Sequence, residues 1–248
     1  MRVLLLSDIH GNLEALQAVL ESAGRYDEVW VLGDLVDYGP NPAEVIDLVR
    51  SLSPSMVLRG NHDEAVGYGV DCGCGEKTHW LSVYSREKYT LKLVTEEQRR
   101  WLASLPLREE REVGGKRLMG VHASPRNPLH DYLLPTLPRE ELRRMLSVGV
   151  GLRSSRLVNA NVVVSGHTHV PADFELEGIR IINPGSVGQP RDGDPRASYG
   201  ILDTESWEFK VYRVEYARDR TLEKLKPYVD DPKVYAKLAE ILTLGRVL

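Results

Sequence analysis

Cysteine is nearly absent: Cys72 and Cys74 are the only two among 248 residues. Two thiols one residue apart exclude a disulfide framework, so the chain reads as one made and kept in a reducing, cytoplasmic setting. Without a second pair they do not compose a structural zinc site, and they read as free thiols in a loop. Long apolar runs are also missing. The opening Met1-Arg-Val-Leu-Leu-Leu-Ser7 stretch stops at Asp8, too short for the core of a signal peptide, and no segment has the length to cross a bilayer. An excess of one charge is lacking as well. The formal net charge of −4 speaks against an extended nucleic-acid surface, which shows as a basic excess. The blocks Arg108-Glu-Glu-Arg111 and Arg139-Glu-Glu-Leu-Arg-Arg144 are mixed in sign and read as solvated helix faces rather than the groove of a nuclease. Internal repeats, low-complexity tracts and linkers are absent too. With 42% hydrophobic and 27% charged residues, residues 1–248 read as a single α/β domain that buries its own core.

What is present begins with alternation. Val3 to Leu6, Val29 to Leu32, Met56 to Leu58 and Val162 to Val164 are short apolar runs, the pattern of strands buried on both faces. Leu13, Leu16 and Leu20 recur at helical spacing before Gly24, and Pro42 opens a second helix bearing Val45, Ile46 and Val49. Strand and helix in alternation predict a largely parallel sheet with helices packed on it. Further along, Thr95 and Gln98 form a capping-box pattern, Gly114-Gly115 predicts a hairpin, and Arg139 to Leu146 predicts a helix. Phe174, Leu176, Ile179, Ile181, Tyr199 to Leu202 and Trp207 to Val214 predict antiparallel strands, and Pro232 to Leu244 a closing amphipathic helix. Two sheets in one domain follow.

Five of the seven histidines lie in polar blocks just after predicted strands: Asp8-Ile-His10, Gly60-Asn-His-Asp63, Val121-His122 and Gly166-His-Thr-His169, with Gly33-Asp34 between the first two. In open α/β sheets, ligand sites gather beyond the carboxyl ends of strands, so these scattered residues are placed to converge. Residues two apart share a direction on extended chain, which pairs Asp8 with His10 and His167 with His169. One histidine is ordinarily structural or a surface residue, and one Gly-Asp ordinarily a turn; five such blocks in sequence point to a metal centre. Mixed imidazole and carboxylate donors suit Mn, Fe or Zn, with Ni or Co as further options, better than Ca or Mg. Two divalent ions bring four positive charges, of which Asp8 and Asp34 offset two, leaving a site that attracts phosphate.

These blocks, in this order from Asp8 to His169, resemble the calcineurin-like metallophosphoesterase superfamily. Asn183-Pro-Gly-Ser-Val187 and the chain length resemble its small prokaryotic phosphodiesterase-like branch. The resemblance implies a two-sheet β-sandwich flanked by helices, a four-layer αββα fold. It implies one ion on Asp8, His10, Asp34 and His169, and another on Asp34, Asn61, His122 and His167, with Asp34 as the bridge. It also implies that His62 is catalytic and that Asp37 orients it. Eukaryotic-type protein phosphatases carry a phosphate-gripping arginine after that aspartate; here the residue is Tyr38, which speaks against a protein phosphatase. Arg126 and Arg191 are then the candidate phosphate ligands, together with Asn61 and His62.

The activity implied is hydrolysis of a phosphodiester or phosphomonoester by a hydroxide shared between two metal ions, with His62 as proton donor. A phosphorylated small molecule or nucleotide-like compound is the expected substrate. The loops at 64–80, 123–135 and 188–197 are expected to form its irregular walls. Two alternatives share the motif set: a dinucleoside-polyphosphate or protein phosphatase, and a non-catalytic scaffold like the retromer subunit. The intact set of ligands favours an enzyme.

Overall fold

The structure, a computed structural model, describes residues 1–149 and 156–247. The chain begins with β1 (Arg2–Leu6), α1 (Leu13–Ser22), β2 (Glu28–Val31), α2 (Pro42–Ser51), β3 (Met56–Val57) and α3 (Asn61–Tyr68). Next come α4 (Glu76–Ser85), a π-helical turn at Arg86–Thr90, α5 (Leu91–Leu93), α6 (Glu96–Ser104), β4 (Arg108–Val113), β5 (Lys116–Val121) and α7 (Arg139–Met145). The remainder comprises β6 (Ser147–Val148), β7 (Arg156–Leu157), β8 (Val162–Val164), β9 (Ala172–Leu176), β10 (Ile179–Asn183), β11 (Ala197–Asp203), β12 (Phe209–Val214), α8 (Arg218–Leu225) and α9 (Pro232–Leu244).

Two five-stranded mixed sheets result, in the orders β12-β11-β1-β2-β3 and β4-β5-β8-β10-β9. β1, β2 and β3 run parallel, as do β5, β8 and β10; β11, β12, β4 and β9 pair antiparallel at the flanks. Alternation along a strand explains why β1 is apolar throughout. Leu4 and Leu6 face α1 and α2 in one core, while Val3 and Leu5 face Leu118, Val162, Val164 and Ile182 of the other sheet. Beyond that sheet, Met119, Val121, Val163 and Ile181 pack on Leu142 and Met145 of α7. The layers are therefore helix, sheet, sheet, helix, as the family resemblance implies. A fourth cluster fastens α8 and α9 to α4 and the π turn through Leu225, Leu238 and Ile241 against Leu81 and Tyr89.

Several local expectations are corrected. Gly60-Asn-His-Asp opens α3, with Gly60 at its N-cap. Of residues 64–80 only 69–75 are irregular, since α3 runs to Tyr68 and α4 starts at Glu76. Arg108-Glu-Glu-Arg111 lies on the edge strand β4, whose side chains alternate between exposed and half-buried; charge on an exposed edge also keeps sheets from pairing further. β10 is not purely antiparallel, because it joins β8 in parallel. Trp207 stands in the turn before β12, with φ of +59°.

Candidate metal centre

β1, β2 and β3 in one sheet, and β5 and β8 in the other, end at the same rim. Asp8, Asp34 and Asn61 follow the first three strands and His122 and His167 the last two. The convergence is not the work of extended chain. Asp8, His10, Asp34, His167 and His169 all adopt left-handed backbone, with φ between +48° and +63°. Such conformations cost on the order of 1–3 kcal/mol each outside glycine and gather at functional sites; Asp and His tolerate them better than most residues. The expected common direction of His167 and His169 is thereby corrected: His169 joins Asp8 and His10, while His167 joins Asp34 and His122.

Backbone hydrogen bonds fix these turns. Asp8 N donates to Gly33 O and His10 N to Asp34 O, each at 3.0 Å, so the turns after β1 and β2 brace one another. Asp63 receives three backbone N–H groups: Asp34 at 2.7 Å, Leu35 at 2.9 Å and Gly60 at 2.9 Å. Asn183 donates to Gly166 O at 2.8 Å and to Thr168 Oγ1 at 3.1 Å, holding the loop of His167 and His169. Ser186 Oγ donates to Asp8 O at 2.7 Å. Gly60 and Gly166 permit this closeness: a Cβ on Gly60 would strike the Asp34 carboxylate, and one on Gly166 the Ser7 hydroxyl. The sequence patterns leave the bracing roles of Asp63, Asn183 and Ser186 unread, although all three stand inside the quoted blocks.

Asp63→Ala should expose how much the brace matters. It strands three buried backbone donors, each worth about 1–3 kcal/mol. We expect a urea midpoint lowered by the equivalent of at least about 3 kcal/mol with an unchanged m-value; a loss under about 1 kcal/mol would show that the turn holds itself.

The donors face inward with their lone pairs. His10 Nδ1 donates to Val36 O at 2.9 Å, His122 Nδ1 to Leu32 O at 2.7 Å and His169 Nδ1 to Gln189 O at 2.6 Å. A backbone carbonyl on one ring nitrogen sets the tautomer and leaves the other free to ligate. The freed Nε2 atoms of His10 and His169 stand 3.2 Å apart, and His169 Nε2 stands 3.3 Å from Asp8 Oδ1. Asp34 Oδ2 is faced by Nε2 of His122 at 3.3 Å, of His10 at 3.8 Å and of His62 at 4.0 Å. His122 Nε2 also lies 3.2 Å from both Asn61 Oδ1 and His167 Nδ1. Asn61 is turned that way by the Cys72 carbonyl, which accepts from its Nδ2 at 2.9 Å. Among the described residues, the groups that bring their donor atoms within 4.8 Å of one another include Asp8, His10 and His169; His10, Asp34 and His62; and Asp34, His122 and His167.

Charge in this pocket is finely opposed. Burial pushes His10 down to about 3, despite Asp34. Burial and then the His122 charge hold His167 well below the usual imidazole range, and burial and then Arg191 do the same for His169. All three are neutral at pH 7 and able to ligate. Burial also lowers His122, but Asp34 reverses this and lifts it to about 9. Burial would raise Asp34, yet His122, His62 and His10 together hold it well below the usual carboxylate range. Imidazoles aimed at each other around a buried anion are a donor set shaped for cations, and the residues fit divalent metal ions.

Beside this cluster, His62 Nδ1 donates to Asp37 Oδ2 at 2.9 Å. Arg86 reaches the same oxygen through Nε at 3.1 Å and Nη2 at 2.8 Å. Arg86 opens the π-helical turn, a local widening frequent at functional sites. Nothing in the sequence flags it, since it lies 49 residues from Asp37. Tyr38 is buried against His10 and His62, with ring centroids 5.0 and 5.1 Å away. Arg191 sits at the rim: its N donates to His169 O, and its guanidinium bonds Gln189 Oε1 at 2.6 and 3.1 Å. Arg126 instead turns to Asp131, with contacts at 3.0 and 2.7 Å. Cys72 and Cys74 are free thiols in the loop between α3 and α4, as expected, but Cys72 is buried and their sulfurs lie 2.8 Å apart.

Fold and donor set together define a helix-flanked two-sheet sandwich with a candidate cation centre at the carboxyl ends of its parallel strands. The chain belongs to the calcineurin-like phosphoesterase superfamily, whose domain matches residues 1–207. It is 35% identical over 233 residues to an uncharacterized protein of Methanocaldococcus jannaschii, covering 90% of this chain and 91% of that one. It is 27% identical over 216 residues to the phosphodiesterase YfcE of Escherichia coli, covering 83% and 89%. The crystal structure of a metallophosphoesterase from Sphaerobacter thermophilus is similar with a TM-score of 0.74 and 32% identity, across 99% of this chain and 100% of that one. The superfamily and the two-sheet α/β fold expected from the motifs are thus those found. No helix among the described residues is long and apolar enough to cross a membrane.

Proposed function

We propose that the chain is a phosphoesterase working with two divalent metal ions, on phosphodiesters in preference to monoesters. The observation that carries this is Asp34 Oδ2, a single buried carboxylate oxygen faced by His10, His62 and His122 from separate segments at 3.3–4.0 Å. Asp8, His10, Asp34 and His169 would hold one ion, and Asp34, Asn61, His122 and His167 the other. Mn, Fe and Zn suit the mixed nitrogen and oxygen donors best. When bound, such ions supply hydroxide at neutral pH and neutralise charge on the phosphate. The preference for diesters is supported by the name of the Escherichia coli relative.

The protein's own part is acid help and orientation. Asp37 holds the Nδ1–H of His62, so Nε2 carries the proton that goes to the departing alkoxide. Burial lowers His62, but Asp34 and Asp37 outweigh it and raise its pKa above the ordinary value, which keeps the acid form populated near neutrality. Arg86 holds the Asp37 carboxylate in place through its guanidinium. Arg191, at the rim, grips a phosphate oxygen.

A screen of bis-p-nitrophenyl phosphate against p-nitrophenyl phosphate with Mn, Fe, Zn, Co or Ni tests the reading. Metal-dependent hydrolysis, faster on the diester and stopped by a chelator, is expected; no hydrolysis of either with any metal would overturn it. Arg191→Ala should raise KM for the diester about 10–100-fold, as for loss of a charge-assisted hydrogen bond of about 1.5–3 kcal/mol, with metal content unchanged. An unaltered KM would remove Arg191 from the phosphate site.

A further inference from the structure

We propose that Cys72 and Cys74 form a reversible thiol–disulfide modification site that governs how tightly the centre holds the ion bound through Asn61; this rests on the metal reading above. The two sulfurs stand 2.8 Å apart, and bonding requires about 2.05 Å, so they close by less than about 1 Å. Gly73 between them has φ of +57° and donates its N–H to Asp71 Oδ1 at 2.7 Å, which folds the Cys-x-Cys segment back on itself. Ser82 Oγ lies 3.1 Å from Cys72 Sγ and 3.3 Å from Cys74 Sγ, gathering both thiols against α4. Cys72 is fully buried, whereas Cys74 is partly open to solvent, so one sulfur is reachable and the other waits beneath it.

The link to the metal centre is the Cys72 backbone. Its carbonyl accepts from Asn61 Nδ2 at 2.9 Å, and this bond turns Asn61 Oδ1 toward His122. Cys72 Sγ and Cys74 Sγ also lie within 4.8 Å of a ring nitrogen of His62. A disulfide across a single intervening residue closes a small ring, and such strained bonds are the readily reduced, regulatory kind. Closing the ring rotates the peptide whose carbonyl steers Asn61.

The chemistry balances with a small-molecule disulfide of the glutathione class as oxidant. The Cys74 thiolate attacks one of its sulfurs; that S–S bond breaks, one small thiol leaves and a mixed disulfide forms on Cys74. The Cys72 thiolate then attacks Cys74 Sγ, forming the internal bond and expelling the second small thiol. Two protons and two electrons pass from the protein to the oxidant, which ends as two thiols.

The test compares the metal-free full chain after dithiothreitol with the same chain after glutathione disulfide, titrating each with Mn²⁺ by calorimetry and weighing each by mass spectrometry. Oxidised chain should be two hydrogens lighter. It should bind its second Mn²⁺ about 10–100-fold more weakly, the usual loss when a partner that orients a metal ligand is disturbed, and dithiothreitol should restore it. Cys74→Ser should bind Mn²⁺ identically before and after oxidant, whereas Cys72→Ser should stop at the mixed disulfide and gain the mass of one glutathione. A chain that keeps its mass in excess oxidant overturns the inference, and so does one that loses two hydrogens yet binds both ions as before. If the reduced chain binds no Mn²⁺, the metal reading beneath it falls, and this inference with it.

Discussion

Asp34→Asn should abolish binding of both ions together with phosphodiester hydrolysis, and it should also lower the melting temperature of the metal-free fold. Asn has the size of Asp, and its Oδ1 can still accept the His62 N–H now received at 2.9 Å. The change falls on the other atom. An acceptor oxygen facing three imidazoles at 3.3–4.0 Å becomes an NH₂ group, which brings no negative charge to offset two cations. The anion that His122, His62 and His10 hold ionised disappears, and buried His122, which Asp34 lifts to about 9, loses its partner; breaking a buried pair destabilises, so the apo protein loses stability as well. The rate should fall by more than the roughly 10²–10³-fold that follows removal of a single oxyanion donor, because the clamp for both ions is lost. Metal content by mass spectrometry and apo melting temperature measure this together. One ion retained at full affinity would show that Asp34 serves one site and does not bridge.

His62→Asn should separate chemistry from metal binding. His62 is held by Asp37 rather than by a backbone carbonyl, unlike His10, His122 and His169, and its Nε2 lies farthest of the three from Asp34 Oδ2. That is the posture of a proton donor at the edge of the donor set. Both ions should remain while kcat falls about 10²–10⁴-fold, the range for lost general acid help. The loss should be large for an alkyl diester, whose leaving oxygen needs a proton, and small for p-nitrophenolate, which leaves without one. Equal losses on both substrates, or an emptied metal site, would move His62 out of this role.

The fold and the donor list were legible because they rest on local patterns. Short apolar runs such as Val3 to Leu6 and Val162 to Val164 can be buried only as central strands, and β1 and β8 are those strands. Asp8, Asp34, Asn61, His122 and His167 each follow a strand closely, so knowing the strand placed the residue. Arg86, Asp63 and Asn183 were not legible as site residues. Each acts through a partner far along the chain: Arg86 on Asp37, Asp63 on the Asp34 turn and Asn183 on Gly166. A hydrogen bond spanning a fold leaves no periodic trace in the sequence. Arg126 and Arg191 looked alike as arginines beyond a motif; only packing turned one to Asp131 and the other to the rim beside His169.

By itself the sequence determined which side chains stand at the strand ends, and hence the superfamily and the chemistry its donors suit, because strand identity and loop residue type are set within a few positions of one another. Tertiary structure alone decided the directions. Left-handed turns at five of these residues and carbonyls seated on three imidazoles arise where segments distant along the chain meet. Side-chain orientation is a property of that meeting, and no single stretch of chain contains it.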